Sequence, residues 1–121
     1  MILDERTEFA DATSVGTPNN TTVNVGNQID LGAVSRDIGN GQTVYAVFQV
    51  TTAIVGTTST VSFKISSDST ATLSVDGTQT EHFTSDLIAE ASLVAGYTLV
   101  VALPLGSSLP YERYLGFQIA E

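Results

Sequence analysis

Between Val61 and Ser66 apolar and polar residues alternate, with Val61, Phe63 and Ile65 on one side and Ser62, Lys64 and Ser66 on the other. That period of two predicts a half-buried β-strand. Ala71-Thr72-Leu73-Ser74-Val75 repeats the alternation. The Asp76-Gly77 pair that follows suits the positive φ angles of a tight hairpin turn, with Thr78–Phe83 as the return strand. Two further runs, Val44–Val50 and Tyr97–Leu103, are apolar on both faces and rich in β-branched residues, which predicts central strands. Shorter strands are expected at Gln28–Leu31, around Leu87–Leu93 and at Tyr114–Ala120, with a helix capped by Ser85 as the competitor over 86–94. About eight short strands separated by Gly, Ser, Thr, Asn and Asp clusters make the expected fold all-β, an antiparallel sandwich or jelly roll. Residues 1–26 read as an extended N-terminal arm and loop, and 27–121 as the β-sandwich of a single domain.

Composition narrows the partners more than the fold. The 121 residues are 42% hydrophobic and only 14% charged, with a net charge of −9 from thirteen acids against Lys64, Arg6, Arg36 and Arg113. So few cations cannot neutralise a run of phosphates, which argues against direct binding of nucleic acid or an anionic membrane surface. There is no cysteine, so disulfides, zinc-thiolate sites and thiol nucleophiles are excluded. Met1-Ile2-Leu3-Asp4-Glu5-Arg6 places acids where a secretory signal carries lysines, and the longest apolar run, Leu99–Leu105, is broken by Pro104. The expectation is a soluble protein made in the cytoplasm.

Candidate chemistry is sparse. The glycine-rich stretch Ser35–Thr43 contains neither phosphate-binding spacing, and no helix pattern follows Gly41, so its glycines read as turn formers. His82, the sole histidine, is read as a strand residue facing solvent or a neighbouring strand. Glu81, Asp86 and Glu90 have no spacing that marks an acid–base pair. Asp37, Asp68 and Asp76 could serve calcium, but each is equally explained by turn chemistry. No catalytic residue, cofactor or metal is assigned. With no Trp, a sugar-binding surface would depend on Tyr45, Tyr97, Tyr111 or Tyr114, and a carbohydrate-binding module, with or without calcium, stays as the alternative function.

Several segments, in order along the chain, carry a family resemblance. Met1–Thr13 (MILDERTEFADAT), Ile29-Asp30-Leu31-Gly32 leading to Arg36–Gly41 (RDIGNG), Leu93–Leu105 (LVAGYTLVVALPL) and Tyr111-Glu112-Arg113-Tyr114-Leu115-Gly116 resemble the capsid cement, or decoration, proteins of short-tailed bacteriophages of the Bordetella-phage type. The resemblance implies a structural virion protein with a jelly-roll sandwich and no catalytic residues. It implies a homodimer, or a higher symmetric oligomer, seated on the outside of the major capsid protein lattice, where it clamps neighbouring capsomers after the shell expands. It also leads to the expectation of one more strand after Leu115-Gly116, where this chain ends at Glu121; a sheet edge left open there could pair with a neighbouring subunit. The candidate interface residues are Ile2, Leu3, Arg6 and Phe9 on the arm and Tyr111, Arg113 and Tyr114 near the C-terminus. The arm's alternative is a first strand of the protein's own sheet, and Arg113's is an ion pair with Glu112 or Asp37. Arg36 and Asp37 form a candidate structural pair at a loop base, with a capsid contact as the other reading.

Overall fold

The computed structural model describes residues 8–15, 21–32, 43–54, 59–104 and 110–121. Among the described residues seven strands are found: β1 (Thr22–Asp30), β2 (Tyr45–Gln49), β3 (Thr60–Asp68), β4 (Thr80–Thr84), β5 (Ile88–Ala89), β6 (Thr98–Ala102) and β7 (Tyr114–Ala120). The larger sheet runs β1-β7-β3-β4, with the short β5 also on β3, and β2 pairs with β6 in a separate two-stranded sheet. Every pairing is antiparallel. The all-β sandwich expectation holds, with seven strands against about eight.

The two sheets meet through aromatic rings. Phe48 of β2 lies 5.4 Å from Phe63 of β3, 5.0 Å from Phe117 of β7 and 6.4 Å from Phe83 of β4, ring centroid to ring centroid. Val25, Ala46, Val61, Ile65, Leu93, Leu103, Tyr111, Leu115 and Ile119 complete the buried cluster. Val61, Phe63 and Ile65 of β3 and Leu115, Phe117 and Ile119 of β7 are odd-numbered positions, as the alternation of a strand requires.

The other face of the larger sheet is not solvated, and here expectation and structure part. Ser62, Ser66 and Gln118 are buried, so β3 is covered on both faces rather than half-buried. The cover is the segment 69–79, which was expected to form the hairpin strand Ala71–Val75 and does not. Its backbone groups are engaged by side chains instead of a ladder. Asp68 accepts the Ser74 N–H at 2.9 Å, Asn24 Nδ2 donates to the Leu73 carbonyl at 2.8 Å, and Gln118 Nε2 donates to the Ser74 carbonyl at 2.9 Å. Gln118 Nε2 also donates to Asn24 Oδ1 at 2.7 Å, closing the network. Leu73 is buried over Gly116, where a Cβ would come within 2.9 Å of its Cδ2. The Asp76-Gly77 turn is present, with Gly77 at φ +94° and Asp76 accepting the Thr78 N–H, but the strand that follows, β4, pairs with β3.

Other boundaries moved as well. β1 begins at Thr22, so residues 22–26 belong to the sheet rather than to the arm. Over 86–94 the chain makes β5 and a 3₁₀ turn, Glu90–Ser92, in place of a longer strand or a helix. Among the described residues β2 and β6 pair only with each other, so neither is a central strand there. Their inner residues Ala46 and Phe48 are buried, while Tyr45 is 60% and Val100 56% exposed on the outer face.

Replacing Phe48 should cost more than any other change on the ribbon, since its ring alone reaches three strands of the opposite sheet. Phe48→Ala is expected to lower unfolding stability by about 3–5 kcal/mol, read as a shifted urea midpoint; a loss within about 1 kcal/mol would mean the sheets are held elsewhere.

Candidate interaction surface

Two of the candidate segments lie at one corner of the larger sheet. In the β1–β7 register Val25 is opposite Phe117 and Ile29 opposite Leu115, so Gly26, Asn27 and Gln28 stand against the single residue Gly116. The bulge turns the edge outward, and residues 8–13 seat against it. The Asn27 N–H donates to the Phe9 carbonyl at 2.7 Å, and Gly26 sits at φ +70°, where a Cβ would collide with that carbonyl oxygen. Glycine is therefore required twice over, by conformation and by space. A concavity of about 700 Å³ lies between arm and bulge, with Phe9 and Ile29 among apolar linings and Glu8, Asp11 and Asp30 as acids.

Asp30 joins this corner to the second segment. Arg113 Nε donates to its Oδ1 at 2.9 Å and Nη2 to its Oδ2 at 3.1 Å, a two-point pair between the end of β1 and the start of β7. The hydrogen bond from Arg113 holds the Asp30 carboxyl below the usual carboxylate range, helped by the Gly32 N–H, and the same pair raises the Arg113 guanidinium. The guanidinium carbon lies 5.2 Å from the centre of the Tyr114 ring. Among the described residues Arg113's partner is thus Asp30 rather than Glu112, and Asp37 lies outside the described residues. Both described cations are paired, since Lys64 Nζ meets Glu81 Oε1 at 2.8 Å.

Tyr111 is not part of that surface. It is fully buried, its hydroxyl donates to the Pro104 carbonyl at 2.6 Å, and burial raises its pKa. The ring stacks on His82 at 3.9 Å. Ile2, Leu3, Arg6, Arg36 and Asp37 lie outside the described residues. Of the predicted residues, Phe9 lines the concavity together with Asp30, and Asp30 pairs with Arg113, whose guanidinium lies by Tyr114. Asp30, which links them, went unnoticed, because nothing near it in sequence marks a partner so far along the chain.

Residues 9–120 match the family model described as Bbp16. The chain belongs to the Bbp16 family. That name is the name of a Bordetella bacteriophage protein, so the chain is kin to a phage protein. A search of curated proteins found no match. The Bbp16 match takes in Phe9, the bulge, the Asp30–Arg113 pair and all seven strands.

Within this Bbp16-family fold one further cluster has the residue types of a catalytic pair. Ser67 Oγ and His82 Nε2 are 2.7 Å apart, and Ser67 Oγ also accepts the Glu112 N–H at 3.0 Å. Glu112 in turn accepts from Thr80 Oγ1 at 2.8 Å. Ser67 is fully buried, so its hydroxyl has no open side for a substrate, and the cluster ties β3, β4 and the entry to β7 together. Asp68 and Asp76 are engaged in turns. Burial tends to raise Asp68, but hydrogen bonds from Ser74, Thr70 and Ser69 outweigh it and leave the carboxyl lowered. Among the described residues no group of three or more His, Cys, Asp or Glu could hold a metal, and no helix is long and apolar enough to cross a membrane.

Burial lowers the His82 pKa from 6.5 to about 4, so the fold holds the neutral ring. A depressed folded value means that His82 contributes its full stability above pH 6.5 and loses it as pH falls through 6.5 toward 4. Asp30, Asp68 and Asp76 start from 3.8 and are lowered, so they act below this window. The unfolding midpoint should fall between about pH 7 and about pH 4 in the parent and stay flatter in His82→Gln; equal slopes would show that another group titrates.

Proposed function

We propose that this Bbp16-family chain is a capsid cement protein, a structural virion component that binds the outside of an expanded phage shell and bridges neighbouring capsomers. The observation that carries this reading is the match of residues 9–120 to a family named for a phage protein. The fold agrees with it. A compact all-β body seats an N-terminal arm on its bulged edge, and the one Ser–His pair among the described residues is closed to solvent. A net charge of −9 disfavours contact with packaged DNA and suits the outer side of the shell.

Stabilisation follows from linkage. A protein that binds the assembled lattice and not free subunits shifts assembly by mass action, however weak each contact is. As a homodimer it would set two footholds on one shell, the second at high effective concentration. The corner of Phe9, Asp30, Arg113 and Tyr114 is one foothold, with Ile2, Leu3 and Arg6 on the chain leading into it. Carbohydrate binding has less support. Only Tyr45 among the described tyrosines is exposed, and no second exposed aromatic ring among the described residues joins it to make a platform.

Expanded capsids lacking the protein should take it up to a saturating ratio and melt at a higher temperature once decorated. Absence of co-sedimentation at low ionic strength overturns the cement reading, and retention on a polysaccharide column that an alanine at Tyr45 abolishes would replace it.

A further inference from the structure

Among the described residues β6 is paired along one edge and unpaired along the other. The Leu103 N–H donates to the Val44 carbonyl at 2.8 Å and the Val50 N–H to the Tyr97 carbonyl at 2.9 Å. The alternation of an antiparallel ladder then directs the N–H and C=O of Leu99 and Val101 at β2, and those of Thr98, Val100 and Ala102 away from it. Those outward groups have no ladder partner among the described residues. The side chains tell the same story. On β2 the inner residues Ala46 and Phe48 are each 8% exposed, whereas Leu99 and Val101 of β6 are only half-buried. With Phe83, Ile88 and Tyr97 they line a cleft of about 500 Å³. Among the described residues the core is closed along β2 and open along β6. A jelly roll has eight strands in two sheets, and the β1-β7-β3-β4 sheet has its four while the β2-β6 sheet has two among the described residues.

Two of the other described edges are guarded, while the far edge of β2 is uncharged like that of β6 but has the buried Ala46 and Phe48 behind it and, among the described residues, no cleft. β1 has its bulge, the seated arm and Asp30, and β4 has a register shift and Glu81 beside Lys64. Thr98–Ala102 has no charge, no proline and no bulge, the features by which strands avoid being paired. Asp86 is the only charged residue among the described residues that line the cleft. An added strand here needs apolar side chains at alternate positions to fill the cleft, and basic flanks to match Asp86 and a chain of net charge −9. A second copy brings the same acidic surplus, so charge favours a foreign strand.

We propose that the free edge of β6, with the cleft lined by Phe83, Ile88, Tyr97, Leu99 and Val101, receives an extended segment of the shell subunit as an added strand. This rests on the cement reading and names a second contact for it. Main-chain hydrogen bonds supply the adhesion, and the cleft selects the side chains.

The test uses expanded capsids and two proline variants. Val100→Pro removes one outward N–H of β6 without touching a rung of the β2 ladder, and Val47→Pro does the same on the far edge of β2. The parent should co-sediment, Val100→Pro should bind about tenfold more weakly and Val47→Pro within about twofold of the parent. In the parent, needing no variant, amide exchange across 98–102 should slow on capsid binding. Unchanged binding by a folded Val100→Pro, or unchanged exchange at 98–102, overturns this inference and leaves the cement reading standing. A parent that does not co-sediment overturns both. A free protein that sediments as a dimer with these amides already protected assigns the edge to a second copy and overturns the foreign strand.

Discussion

A two-stranded ribbon is marginal in water by itself, because half of its backbone groups face open edges and it has one face to bury. The β2–β6 ribbon persists because Phe48 is set among Phe63, Phe83 and Phe117, rings from three strands of the opposite sheet. That contact decides where everything else can be. It places the inner residues of β6 beside Phe83 and Ile88 with space left over, and it leaves the outer side chains Tyr45, Val47 and Val100 in solvent. The ribbon's open side is therefore a consequence of how it is anchored.

The opposite face of the larger sheet answers a different constraint. Buried amides must be satisfied, and Gln118, Asn24 and the carbonyls of Leu73 and Ser74 satisfy one another in a connected set. Such a network fixes the register of 69–79 on the sheet more tightly than apolar contact could, since a slip of one residue leaves polar groups unpaired. Gly116 completes it by giving Leu73 room. One sheet thus packs its odd positions on rings and its even positions on amides, and both faces are covered by the chain's own segments.

Local pattern carried the sequence reading as far as local causes reach. β3, β7 and the Asp76-Gly77 turn were legible because alternation and turn chemistry are written over a few residues. Ala71–Val75 alternates just as clearly, yet Asp68, Asn24 and Gln118 capture its backbone, and two of those three are far away in sequence. Tyr111 looked like a surface aromatic next to Arg113, but its ring belongs to His82, and only the strand pairing shows that. Phe9 and Arg113 were both marked from the sequence. Their meeting through Asp30 could not be seen, since the pair spans 83 positions and an exposed aspartate carries no mark of its partner. The apolar runs that became β2 and β6 show the same limit from the other side. A run apolar on both faces states that both faces want cover, and it does not say whether the cover is in the same chain.

That last point bears on how such a protein could work. An edge strand recognises its partner through N–H and C=O groups that every residue possesses, so the contact tolerates side-chain change and is paid for by geometry. On the cement reading proposed above, the guarded corner at β1 would work in the opposite way, since its shape is set by one ion pair and one glycine. A protein with both has a specific point of reference and a permissive one. On a curved shell, where equivalent sites differ slightly in spacing, the permissive contact can adapt while the specific one sets orientation. Two unlike footholds on one small body would then hold more positions than two copies of either.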